Sequence, residues 1–171
     1  ILHIFEPARQ LGVYWRRRMI AACRRSSHLQ TNFIIRRAFS GARRTIELDP
    51  VQARAEFIQN IINADFVLAP KGDGNYSNRF LEALSLGRIP IVPDTDIVLP
   101  LEGSVDYSFV MVRVPMNRVC ETPKYIHEFY DALTEVEWQQ RQQLVREIFE
   151  KYLRQDSFFR YFFVEVLPTL S

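Results

Sequence analysis

The stretch DFVLAPKGDGNYSNRFLEALSLGRIPIVP, residues 65–93, decides the fold. It opens on a short run, Asp65 to Pro70, that is apolar on both faces, and then passes through a loop of glycine and small polar residues. From about Ser77 to Leu86 its apolar residues recur at helical spacing; Gly87 follows, and a second apolar run, Arg88 to Pro93, begins at once. A glycine just past the last periodic residue is a common helix stop. A connection containing a whole helix is too long for a hairpin, and strands apolar on both faces belong to parallel sheets. The two runs are therefore expected to be parallel strands joined by a right-handed crossover. The fold class that follows is α/β.

Working outward, Asp49 before Pro50 reads as an N-cap followed by a proline in the first helical position, with Phe57, Ile58, Ile61 and Ile62 on one face of the helix they open. Asn32 to Ile35 is a short β-branched and aromatic run, expected as a strand, and Ser40 to Arg44 reads as a loop. Residues 7–26 are expected to form a helix that lies on the sheet: Leu11, Tyr14, Trp15, Met19, Ala22 and Cys23 recur at its period, with arginines between them. Downstream, Tyr107 to Val114 supplies a further strand. The tail from Pro123 is helical throughout, including Glu135 to Leu153 and an aromatic segment from Phe158 to Phe163.

The 171 residues are enough for one domain with its own core, and 47% hydrophobic against 25% charged residues is the balance of a soluble globular protein. Cys23 and Cys120 make neither a disulfide framework nor a zinc site, and His3, His28 and His127 are scattered singly, so no metal is expected. No apolar run approaches the ~20 residues that cross a bilayer, so no membrane segment is expected in this chain. The opening ILHIF, strand-like and without Met, suggests a fragment whose preceding segment is missing. Charge is uneven. Residues 1–50 carry ten arginines against three acids, and the remainder twelve bases against seventeen acids, within a net +2. The groups Arg16 to Arg18, Arg24/Arg25, Arg36/Arg37 and Arg43/Arg44 keep open a basic α/β module that grips nucleic acid, although no aromatic-interleaved RNA-binding pattern accompanies them and a solvated helix face explains them more simply.

Ligands of parallel α/β sheets bind outside the carboxyl ends of the strands, and the loop from Lys71 to Ser77 sits at such an end. Gly72 and Gly74 let a ligand approach the backbone closely, the free amides opening the Ser77 helix suit a pyrophosphate, and Lys71 and Arg79 add positive charge. The spacing misses both the third glycine of the dinucleotide fingerprint and the ending of a P-loop, so a plain turn fits equally well on spacing alone. Glu82 on an otherwise apolar helix suits a ribose diol; alternatively Asn78, Glu82 and Ser85 form the solvated stripe of that helix. Asp94-Thr95-Asp96 imitates a metal-holding DxD, but it follows a strand where basic side chains and a helix terminus are expected to meet the phosphates. Asn75-Tyr76-Ser77 is an N-glycosylation sequon inside this loop, where a glycan would block the site; that points to the cytoplasm.

LAPKGDGNYSNRFLEALSLGRIPIVPDTDIVLPLEG, residues 68–103, resembles the signature of exostosin-like glycosyltransferases, glycosyltransferase family 47. The family pattern is an apolar strand, a Pro-basic-Gly-x-Gly loop, Ser-x-Arg, Glu-Ala, Gly-x-Ile-Pro-Val, and an Asp before an apolar-Pro pair. Here those positions are Pro70, Lys71, Gly72, Gly74, Ser77, Arg79, Glu82, Ala83, Gly87, Ile89, Pro90, Ile91, Asp94, Leu99 and Pro100. Lys71 stands where the family usually has arginine, keeping the charge and losing the bidentate fork.

The resemblance implies a Rossmann-like parallel sheet flanked by helices. Residues 1–171 would be the C-terminal, donor-binding lobe of a two-lobed GT-B glycosyltransferase whose N-terminal lobe is absent. The implied reaction is inverting transfer from a nucleotide sugar, UDP-linked ahead of GDP-linked, to a glycan or other hydroxyl acceptor, with no further cofactor. Ser77 and Arg79 would hold the diphosphate and Glu82 the ribose, with Lys71, Gly72, Gly74 and Asn78 also at the donor. The catalytic base would lie on the missing lobe, Asp94 being the one candidate within this chain. A eukaryotic secretory relative would place the protein in the Golgi lumen rather than the cytoplasm. A degenerate lobe kept for partner interaction is the remaining alternative.

Overall fold

The computed structural model describes residues 7–35, 49–72 and 75–169, with backbone only for 7–11. The proposed loop at 40–44, His3, the arginine pairs at 36/37 and 43/44, and Gly74 lie outside the described residues. Helix α1 spans Pro7–Arg25 and α2 Pro50–Ile62. Asp49 caps α2 as expected: its carboxylate accepts from the Val51 and Gln52 amides at 3.0 and 3.2 Å. Strand β1 is Phe66–Leu68, α3 is Asn78–Ser85 and β2 is Ile89–Asp94. Gly87, at φ 68°, turns the chain out of α3.

Strand β3, Val112–Pro115, completes a parallel sheet of order β1-β2-β3 among the described residues. Two prolines in a central strand are unusual, because proline cannot donate to a ladder. The register removes the difficulty. Ile89 donates to Asp65, so the odd residues of β2 face β1 and the even ones face β3. Pairing with β3 starts at Ile91 and pairing with β1 ends there, so Pro90 precedes the first bond its amide would have made and Pro93 follows the last.

Helices cover both faces of the sheet. Val67 packs with Ile61 of α2 and Ala83 of α3, while the adjacent Phe66 turns to Phe129 and Trp138 at ring separations of 6.1 and 5.2 Å. Those two aromatics belong to α4, Thr122–Tyr130, and α5, Glu135–Ile148. Met19, Cys23, Phe80, Leu84, Ile91 and Val114 share the main core. A Thr134/Glu137 capping box starts α5, which widens into a π-helical turn at Phe149–Leu153 before α6, Gln155–Tyr161. No helix among the described residues is long and apolar enough to cross a membrane.

Two expectations need correction. Asn32 to Ile35 is not a strand: Ile34 and Ile35 are exposed, and the Asn32 carbonyl accepts from the Asn60 side chain at 3.1 Å instead of from a neighbouring strand. Only Phe33 of that run packs on the core. The strand expected over Tyr107 to Val114 begins five residues later. Asp106 accepts from the Ser108 amide at 2.9 Å and winds Tyr107–Phe109 into a 3-10 turn.

Candidate functional site

The loop leaving β1 is fixed from two sides. Asn75 donates through Nδ2 to the Thr95 carbonyl at 2.6 Å, and Thr95 returns its hydroxyl to the Asn75 carbonyl at 3.3 Å, joining the loops that follow β1 and β2. The sequon amide is thus already engaged. On the other side α1 presses Gly12 onto the loop: a Cβ there would lie 2.8 Å from the Gly72 carbonyl oxygen and 3.1 Å from that of Lys71. Beside Gly72 itself there is room among the described residues, where a Cβ would meet only the Tyr76 carbonyl, at 4.0 Å.

Ser77 is the N-cap of α3, but its side chain makes no capping bond; the Phe80 amide donates to the Ser77 carbonyl at 3.0 Å, which leaves the Asn78 and Arg79 amides to another acceptor. Arg79 follows in the first turn. Its guanidinium lies 5.7 Å from the centre of the Phe57 ring, which also takes Arg54 at 5.6 Å. Burial and the like charge of Arg16 hold the Arg79 pKa below the usual guanidinium range, against the opposing pull of Glu82. Arg79 also keeps exposed surface on its open side. Among the described residues Glu82 has one distant partner, Arg54 at 4.0 Å, itself largely exposed at 65%. Such a pair is worth only about 0–1 kcal/mol and yields readily to a ligand hydroxyl. Lys71 and Ser77 are half-buried in the same loop, and Asn78 is exposed at the start of α3.

Two residues of this region were not legible as site residues. Tyr76 has a buried hydroxyl without a hydrogen-bond partner among the described residues, and its pKa is pushed up to about 12, by burial first and by Glu82 second. It stays a proton donor in search of an acceptor. An unmade buried bond costs about 1–3 kcal/mol, so Tyr76→Phe is expected to leave stability unchanged or raise it by about 1 kcal/mol. Urea denaturation checks this; a loss above that size would mean the hydroxyl has a protein partner. Arg16, read in the sequence only as part of a basic cluster, is half-buried instead of solvated.

Asp94 sits at the carboxyl end of β2 with Oδ1 3.6 Å from Arg113, which also reaches Glu102 at 4.0 Å. Asp96 is exposed. A cavity of about 580 Å³ opens beside this ion-pair group, between residues 102–108 and Arg113, and no donor-loop residue lines it. The histidines, scattered in sequence, are not all apart in space: His28 and His127 meet edge to face at 5.4 Å. Both cysteines are free, Cys23 buried and Cys120 exposed, the latter accepting two bonds from Arg18 at 3.1 and 2.8 Å.

The family model for the Exostosin GT47 domain matches residues 6–129, from the start of α1 to the end of α4. No curated protein matches the chain. The match takes in the whole sheet, the α3 loop and every residue assigned above to the donor site, and on that span the chain belongs to the exostosin family of glycosyltransferases, family 47.

Proposed function

We propose that this chain is a GT-B-type lobe that binds a nucleoside diphosphate sugar and stabilises its leaving group during inverting transfer. The observation that carries the reading is the uncapped start of α3 with Arg79 beside it, partly desolvated. As the acceptor oxygen attacks the anomeric carbon from the opposite face, the bond to the diphosphate breaks and its electron pair stays on the departing phosphate. Negative charge therefore grows where the helix amides and Arg79 stand. Glu82 is suited to the ribose hydroxyls, with Lys71, Gly72, Ser77 and Asn78 around the donor. Asp94 is occupied by Arg113, so the proposal gives this chain donor binding and leaving-group stabilisation, with the base supplied from a second lobe that also holds much of the acceptor.

Calorimetric titration with UDP, GDP and their sugars tests it. Saturable, base-selective binding is expected, with the UDP series tighter. A charge-assisted contact is worth about 1.5–3 kcal/mol, so Arg79→Ala should weaken binding roughly 10- to 150-fold; Glu82→Ala should weaken it about 10-fold. A folded chain that binds no nucleotide, or binds it equally well after both substitutions, defeats the proposal. Affinity for nucleic acid that falls steeply with salt and ignores Glu82 would favour the basic-module reading instead.

A further inference from the structure

Arg16 has no role in the donor site as drawn so far, yet its setting is the less ordinary one. It lies four residues after Gly12, on the same face of α1 and one turn along, and Gly12 is the point where that face touches the Lys71 and Gly72 carbonyls. Its Nε is buried without an acceptor, and among the described residues no carboxylate pairs with it. It is also near enough to Arg79 for the two like charges to act on one another. The Arg16 Nε is thus a buried donor without an acceptor, with a second cation beside it, and an anion at this point would answer both.

We infer that Arg16 of α1 is the second cation of the anion site, and that Arg16 and Arg79 together hold two adjacent phosphoryl groups, making the site select diphosphates over monophosphates. One guanidinium with the α3 amides can serve a single phosphoryl group; a second guanidinium, brought from a separate helix across the loop, has a purpose when a second group is present. The inference rests on the donor reading and adds to it a residue and a selectivity. Its ligand chemistry is the diphosphate itself, as a nucleoside diphosphate or as free inorganic pyrophosphate, and the two are tested separately.

The test titrates the intact chain with UDP, UMP and inorganic pyrophosphate, for the wild type, Arg16→Met, Arg16→Lys and Arg79→Ala. Arg16→Met keeps the aliphatic stem, and the thermal midpoint of each variant shows that it is folded. The wild type should bind UDP at least about 10-fold more tightly than UMP. Arg16→Met should weaken UDP and pyrophosphate roughly 10- to 100-fold and UMP less than about 3-fold, and Arg16→Lys should recover part of the loss. If Arg79→Ala weakens UDP and Arg16→Met does not, the inference fails while the donor reading stands. Equal weakening of UDP and UMP by Arg16→Met removes the selectivity and overturns the inference too. A folded wild type that binds none of the three overturns both.

Discussion

Phe80→Ala is expected to lower stability by about 3–5 kcal/mol, the range for emptying a buried aromatic site. Phe80 is 1% exposed and sits between Tyr76 and Tyr107, at ring separations of 6.3 and 5.7 Å. Domains of this size have about 5–15 kcal/mol in all, so the loss is a large share, and the thermal midpoint should fall by roughly 6–20 °C. The consequence for function follows from the length of α3. A helix of eight residues does not hold itself together in water, and this one is fixed by three buried side chains, Phe80, Ala83 and Leu84. Removing the largest of them loosens the turn that presents Arg79 and Glu82, so donor affinity should fall together with the midpoint. Arg79→Ala, by contrast, should lose affinity with little thermal change. A midpoint shift below about 2 °C for Phe80→Ala would show that α3 is anchored some other way.

The contrast between α3 and the segment at Asn32 shows what sequence patterning can and cannot carry. From Asp65 to Pro93 every signal is local: two apolar runs, a helical period and a glycine stop, and the parallel crossover follows from them. Asp49 and Pro50 likewise set the start of α2 within three residues. Asn32 to Ile35 has the composition of a strand, but a strand also needs a neighbour, and the Asn60 side chain takes the carbonyl that pairing would have used. At Tyr107 the side chain of Asp106 outweighed β propensity through a single bond to the backbone. The site divides in the same way. Lys71, Ser77, Arg79 and Glu82 lie within one short stretch and form a motif; Arg16, the residue proposed to join them, comes from far along the chain, and the packing of Gly12 on the loop is what brings its helix there. Nothing in the local pattern distinguishes Arg16 from Arg17 or Arg18. The first is half-buried with no ion pair among the described residues, the second is exposed, and the third is bound to Cys120 and Tyr14.

That packing makes Gly12→Ala the most direct trial of the arrangement, because two opposing effects have different sizes. In an open helix interior, alanine in place of glycine gains about 1 kcal/mol of propensity. Here the added Cβ would stand 2.8 and 3.1 Å from two backbone oxygens, which cannot swing aside as a side chain would, and overpacking of this kind costs about 1–3 kcal/mol. The clash should win, giving a net loss of up to about 2 kcal/mol, and Gly12→Val should lose more because its branched methyls add to the crowding while its helix propensity is poor. Parting α1 from the loop also draws Arg16 away from Arg79, so diphosphate affinity should drop even where the fold survives. Denaturation and titration of the same two variants separate these effects. If Gly12→Ala instead gains the full 1 kcal/mol and binds as the wild type does, α1 does not lie against the Lys71 loop, and the place assigned to Arg16 goes with it.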